Sequence, residues 1–311
     1  MPNMTVKPWR KIRDTNQNSS SHPSMTLSIA HLGPSGTNAE TATLQYATWL
    51  KQKTGQSPLL CPYPSIARTL QAVAQGKADL AVVPVENSIE GSVTVTLDTL
   101  WQLDSLKIQQ ELVLPIEHAL LSQATALDTI HTVYSHPQAL AQCQRWLEEF
   151  LPQCELIPTN STTDALPYLQ ADPAVGAISS PRAAQLYNLP ILACPINDYP
   201  DNCTRFWALS LHPSPGGNHT SLAFIVHDAP GALVKSLQLF ASQNINLSRI
   251  ESRPTKRSLG DYLFFVDLEG NAGDPSVQAV LETLTNETAI LKVFGSYNIL
   301  PIEGSDRVEL G

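Results

Sequence analysis

The chain has 311 residues, 42% of them hydrophobic and 15% charged, with a formal net charge of −9. That length holds two domains or three compact units, and the apolar share is enough to build real cores. The acidic balance excludes a broad nucleic-acid surface, and no apolar run approaches the ~18 residues of a membrane helix.

The first 25 residues are polar and lack the apolar stretch of a secretory signal, so they read as a disordered tail. Cysteines at 61, 143, 154, 194 and 203 form no CxxC pair and no metal-ligand spacing with histidine. Neither a disulfide framework nor a metal is expected, and the compartment expected is the cytoplasm. Structure is expected to begin at Leu27, where Leu27–Leu32 forms a short apolar strand. After the turn Gly33-Pro34-Ser35-Gly36, Thr37 caps a helix over 38–51, with Ala39, Ala42, Tyr46 and Leu50 at helical spacing. Ser65 caps a second helix, Ile66–Gln75, which Gly76 stops, and Asp79–Val85 is a buried strand. The alternation resumes with strand Thr129–Tyr134, helix Pro137–Phe150, strand Leu156–Pro158, helix Ser161–Gln170 and strand Val175–Ile178. Short apolar strands alternating with helices predict an α/β fold in two lobes, about 27–102 and 108–185. Ile191–Leu211 is expected to return the chain to the first lobe, leaving between the lobes a cleft suited to a small molecule.

Pro213-Ser214-Pro215-Gly216-Gly217-Asn218 is a linker. Beyond it the order becomes βαββαβ, a ferredoxin-like module: Ser221–His227, Ala232–Gln243, Asn246–Arg253, Tyr262–Glu269, Ser276–Thr285 and Ala289–Tyr297. Tyr262, Phe264, Val266 and Leu268 alternate as one face of a half-buried strand. The expected layout is a tail over 1–25, a two-lobed domain over 26–211, a linker over 212–219, a ferredoxin-like domain over 220–303 and a tail over 304–311. The segment ending at Leu211 is expected to fold alone, and the module's open sheet face and edges suit self-association.

Four segments combine residue types that a scaffold does not need. Gly33–Thr37 is a strand-to-helix turn whose helix N-terminus offers free N–H groups to an anion. Glu86-Asn87-Ser88 follows a buried strand, at the end where open α/β sheets place ligands. Ser135-His136-Pro137-Gln138 is another strand-to-helix junction, with Pro137 suited to the first helical turn. In Asn202-Cys203-Thr204-Arg205-Phe206 an Arg beside hydroxyl and amide groups suits carboxylate recognition. Each also has a plain structural reading, as a cap or a surface ion pair.

In order and spacing these segments resemble the signatures of the prephenate dehydratases: a GPxGT turn, a PxENSxxGxVxxTLD block over Pro84–Asp98, SHPQALAQC over Ser135–Cys143, and the triplet Thr204-Arg205-Phe206. The tail resembles an ACT domain, with Gly231-Ala232-Leu233-Val234 and Glu251-Ser252-Arg253-Pro254 matching its phenylalanine-binding elements. The resemblance implies a two-lobed catalytic domain like the type II periplasmic binding proteins. The implied activity is that of a lyase of phenylalanine biosynthesis, which converts prephenate to phenylpyruvate without metal or organic cofactor. L-Phenylalanine would act as allosteric effector between ACT domains of a homodimer or homotetramer. Carried over residue by residue, Thr204 supplies the essential hydroxyl, and Asn87 and Gln138 orient the substrate. Thr37, Ser88 and Arg205 are the candidates for carboxylate binding, and Phe206 and His136 are placed with them among the substrate-binding residues, His136 as structural support and not as a base. The chain departs from the family pattern at Asn38 and Ala39, where Phe and Ser are common, and at Asp201, where Gly is common. Arogenate, with an amino group in place of the keto group, stays open as substrate, and a two-lobed binding protein is the reading from another class. With only about 26 residues before the first strand, no fused chorismate mutase is expected.

Overall fold

The computed structural model describes residues 26–226, 229–256 and 262–302. The two expected tails, 1–25 and 304–311, lie outside the described residues, as does His227 at the end of the first expected strand of the tail module.

The first lobe runs β1 Ser28–Leu32, α1 Asn38–Thr54, β2 Leu59–Tyr63, α2 Ile66–Ala74, β3 Leu80–Asn87, β4 Gly91–Ser92, α3 Thr94–Gln102 and β5 Lys107–Pro115. The second runs β6 Ala119–Ser122, β7 Thr132–Ser135, α4 Pro137–Gln142, α5 Gln144–Phe150, β8 Glu155–Pro158, β9 Val175–Ser179, α6 Pro181–Tyr187 and β10 Ile191–Ala193. β11, Cys203–Ser210, then returns to the first lobe and inserts antiparallel between β3 and β5. The lobes are joined by two crossings held side by side, Ile116 N–H donating to Asn202 O (2.8 Å) and Ile196 N–H to His118 O (3.0 Å). The first-lobe core strands β1 and β3 are largely apolar on both faces, as suits helix-covered strands, with His31 a buried polar exception on β1.

Thr37 caps α1 as expected, and Glu40 completes the start of the helix by accepting from Gly36 N–H at 2.7 Å. Three expectations change. The helix expected over Pro137–Phe150 breaks at Cys143 into α4 and α5, and the Asp198 carboxylate accepts from the first-turn N–H groups of Arg145 and Trp146 (2.9 and 3.1 Å). The helix expected over Ser161–Gln170 is a turn followed by a short 3-10 helix, Leu166–Gln170, because Pro167 has no N–H to continue an α-helix. Lys107–Pro115 was expected in the second lobe and belongs to the first sheet; its apolar pattern fits either, and only the pairing with β11 decides.

The tail module has β12 His219–Val226, α7 Ala232–Ser242, β13 Leu247–Pro254, β14 Tyr262–Glu269, α8 Pro275–Glu287 and β15 Thr288–Tyr297, in sheet order β13-β14-β12-β15. Phe224, Val266 and Leu268 face its two helices. The opposite face is not open. Ala223, Leu263, Phe265, Phe294 and Tyr297 share one core with Leu97, Ile108 and Trp207 of the first lobe. A further strand, β16 Ile299–Pro301, pairs in parallel with β5 and extends the first-lobe sheet. The linker is also docked, with Gly217 so close to β15 that an added Cβ would lie 2.0 Å from the Tyr297 carbonyl carbon. The expectation of a segment to Leu211 that needs nothing from the tail is therefore corrected. The tail covers apolar side chains on the back of the first lobe and lengthens its sheet.

A chain truncated after Leu211 should be markedly less stable in urea than the full chain, or should aggregate. In the full chain, Phe265→Ala should lower the unfolding free energy by about 3–5 kcal/mol, the usual cost of emptying a buried phenylalanine site. A truncated chain with the full urea midpoint would show that the shared core contributes nothing.

Candidate functional site

The cleft between the lobes encloses about 610 Å³. On one side it is walled by the carboxyl ends of β1 and β3, the amino end of β11 and the first turn of α1, on the other by α4 and the turn at 160–164. Successive side chains of a strand point to opposite faces, so β11 aims Thr204 and Phe206 into the cleft and Arg205 and Trp207 away from it. The β3–β11 ladder shifts register between Arg205 and Phe206, pairing Asn87 with Thr204, Glu86 with Arg205 and Pro84 with Phe206. The extra residue, Val85, lets Pro84 and Asn87 both line the cleft while Val85 and Glu86 both turn away.

Thr204 is nine-tenths buried, and its Oγ1 accepts a hydrogen bond from Asn87 Nδ2 at 3.0 Å. The two hydrogens of that amide nitrogen are shared among three acceptors, the others being Asn202 Oδ1 (2.8 Å) and Cys203 O (3.1 Å). Asn87 Oδ1 accepts from the N–H groups of Ile89 and Glu90, both at 3.1 Å, which decides which end of the amide faces Thr204. A hydroxyl that already accepts from an amide is left to donate its own proton, and its O–H is polarised by the bond it receives. Asn87, expected to orient the substrate, lines the cleft and also donates to Thr204.

Among the described residues that line the cleft, none is Lys or Arg and Asp164 is the one carboxylate. Anion recognition falls to neutral donors. Asn38 and Ala39 line the cleft, and their first-turn N–H groups have no intrahelical acceptor. Gln138 and His136 line it from the start of α4, where His136 is the N-cap and its Nδ1 accepts from Gln138 N–H at 3.2 Å. The Thr37 hydroxyl is used up in the cap: it donates to Pro34 O (3.0 Å) and accepts from Glu40 N–H (3.4 Å). Ser88 does not line the cleft. Its Oγ accepts from Cys203 N–H (3.0 Å) and donates to Asn202 Oδ1 (3.5 Å), pinning β3 to the loop before β11.

Arg205 is the largest departure. It makes a two-pronged contact with Glu111 (2.9 and 2.7 Å), with further bonds to Glu86 (2.6 Å) and to Asp267 of the tail module (2.9 Å). Burial opposes its charge, but Glu111 and Asp267 more than offset that and hold its pKa above the ordinary arginine value. The expected carboxylate ligand is instead an ion-pair junction between catalytic strand and tail. Strand alternation could have excluded it, since Thr204 and Arg205 are adjacent and cannot both face one cleft. Three residues not singled out as site residues also belong here. Gln142 and Asn202 lie inside the quoted motifs, and His118 sits on a crossing with no local signal to mark it.

Of the expected effector residues, Gly231 to Val234 open α7, where Gly231 is left-handed (φ 78°) and Val234 is 58% exposed. Ala232 and Leu233 are half-buried between them. On β13, Glu251 accepts from Ser92 Oγ at 3.2 Å and Arg253 donates to Asp98 at 3.1 and 3.0 Å, so both side chains point at the first lobe. Ser252 and Pro254 are exposed.

Residues 29–214 match the prephenate dehydratase family, and residues 220–286 match the ACT domain. The chain belongs to the prephenate dehydratase family. A bifunctional chorismate mutase/prephenate dehydratase of Aquifex aeolicus is 42% identical over 274 residues, covering 87% of this chain and 73% of that protein. A prephenate dehydratase of Mycolicibacterium vanbaalenii is 37% identical, covering 86% of this chain and 90% of that one. The crystal structure of the Arthrobacter aurescens prephenate dehydratase in complex with L-Phe superposes with a TM-score of 0.76 at 35% identity, covering 88% of this chain and 90% of that one. As a member of this family the chain is a dehydratase, built as two α/β lobes with a C-terminal ACT domain.

Because Arg205 faces the ACT domain, Arg205→Met should cost about 3–5 kcal/mol in unfolding free energy, the penalty for stranding buried carboxylates. The KM for prephenate should stay within about twofold, since no ground-state contact to substrate is removed. Urea unfolding and steady-state kinetics on one preparation check both, and a large rise in KM at unchanged stability would return Arg205 to the substrate site.

Proposed function

We propose that the cleft expels the ring hydroxyl of prephenate by a hydrogen bond from Thr204 Oγ1, and that the bond from Asn87 Nδ2 is what commits Thr204 to that role. The ring carboxylate leaves as carbon dioxide, and its bonding pair moves through the ring to break the C–O bond opposite. The departing hydroxide takes up one proton, supplied in net terms by solvent, and the ring becomes aromatic. Aromatisation drives the step, so the protein needs to orient the substrate and stabilise the charge that develops on the leaving oxygen. The N–H groups of Asn38 and Ala39 suit one carboxylate, and Gln138 faces them from the second lobe. Arogenate is the second reading, favoured by Asp164, a carboxylate lining the cleft that could meet its ammonium group. Rates on both substrates decide between them.

Thr204→Val keeps the shape of the side chain and removes the donor. Turnover should fall by about a hundredfold or more, as when one transition-state donor is lost, with the fold intact by circular dichroism. A variant with more than half the original turnover would refute the assignment.

For the tail we propose phenylalanine as inhibitor, bound near Gly231 to Val234 of one chain and the β13 edge of another, in a homodimer or homotetramer in the cytoplasm. The exposed Val234 and Ile250 support a second copy there. Valine at position 231 has the space but not the backbone freedom, since φ is 78°. Strain of about 1–2 kcal/mol there should raise the phenylalanine concentration for half-inhibition by roughly tenfold in Gly231→Val. Activity without phenylalanine should be unchanged; an unaltered titration would move the effector site elsewhere.

A further inference from the structure

Behind Thr204 runs a chain of buried polar side chains that joins the two lobes. His118 Nε2 lies 2.9 Å from Gln142 Oε1, Asn202 Nδ2 donates to the same oxygen at 3.0 Å, and Asn202 Oδ1 accepts from Asn87 Nδ2 at 2.8 Å. His118, Gln142, Asn202 and Asn87 are each less than a tenth exposed. They come from four places: a crossing, α4, the loop before β11, and the end of β3.

The direction of every bond in this chain is determined at its ends. At one end Asn87 Oδ1 meets two backbone N–H groups, which can only donate, so its NH2 must face Asn202 and Thr204. At the other, Gln142 Nε2 donates to the Glu90 carboxylate at 3.4 Å, which leaves Gln142 Oε1 as the acceptor for both Asn202 and His118. His118 must then carry its proton on Nε2, and burial holds the pKa of the ring below the ordinary histidine value in spite of that bond. The chain is therefore ordered from a neutral imidazole to the Thr204 hydroxyl, with no amide free to turn over. A flipped Asn202 would set its NH2 against that of Asn87 and an oxygen against Gln142 Oε1, leaving buried groups unpaired.

We propose that Gln142 and Asn202, held by His118, are positioning residues that act through Asn87 to keep Thr204 a donor toward the leaving oxygen. The proposal rests on the reading of Thr204 above. It assigns to α4 of the second lobe a part in the chemistry of a strand in the first.

The test is Gln142→Met, which fills similar volume and makes none of these bonds, measured on the full chain with prephenate. We expect kcat to fall by about tenfold or more, the worth of one aimed hydrogen bond, with KM changed by less than about threefold. In the Thr204→Val background the same substitution should lower kcat no further, because residues that act as a unit are not additive. Nitrogen-15 NMR of the ring should find His118 as the Nε2–H form in the original chain and as a mixture in Gln142→Met. A raised KM with kcat retained would make Gln142 a substrate contact and overturn the proposal, as would an equal further loss of kcat in the Thr204→Val background. Thr204→Val retaining turnover would instead refute the reading on which the proposal rests, which separates the two failures.

Discussion

β11 enters the first-lobe sheet antiparallel between β3 and β5, and the two-residue alternation of that one strand organises the rest of the molecule. One face of it carries Thr204 and Phe206 into the cleft; the other carries Arg205 and Trp207 into the core shared with the ACT domain. Arg205 is surrounded by Glu86, Glu111 and Asp267, one from each neighbouring strand and one from the ACT sheet. Asp267 is fully buried, and although burial opposes its charge, Arg249, Arg205 and the hydroxyl of Ser221 hold its pKa below the usual carboxylate range. Charges buried this way are stable only while all partners are present. The catalytic strand and the regulatory sheet are thus joined one residue from the proposed donor.

The same economy applies to the cleft. With no Lys or Arg among the described residues that line it, a doubly charged substrate in the cleft would meet N–H dipoles and amides. Neutral donors suit a reaction in which one carboxylate must leave as uncharged carbon dioxide, since a tight ion pair would stabilise the ground state that has to be lost. They are also cheaper to bury. Asn87, Asn202, Gln142 and His118 are joined to one another by hydrogen bonds, and none of the three amides carries a charge.

Regulation has a second physical connection in the block that follows Asn87. Ser92 meets Glu251, and Asp98 meets Arg253 and Lys256, so the edge strand of the ACT sheet holds the segment that turns away from Asn87. The sequence motif expected to bind effector is in this way also a contact to the catalytic domain. A ligand that reorients β13 would act on Ser92 and Asp98 directly, with no long pathway needed.

Much was legible in the residues alone. Apolar periodicity placed β1, α1, α2, β3 and all six ACT elements, because each of these is dictated by local pattern, caps and turns. Thr37 as cap and Pro137 as first helical residue needed only neighbouring residues to predict. Thr204, Phe206, Gln138 and His136 all reach the cleft. What the sequence could not decide depends on which elements are neighbours in space. The pairing of β5 and β16 with the first sheet, the covered face of the ACT domain and the partners of Arg205 each involve residues far apart in the chain. Leu263 and Phe265 already announced a second apolar face on β14, but nothing local says which surface covers it. His118 carried no local signal at all. Its place beside Gln142 exists only because the two crossings lie together, and that is a property of the folded lobes.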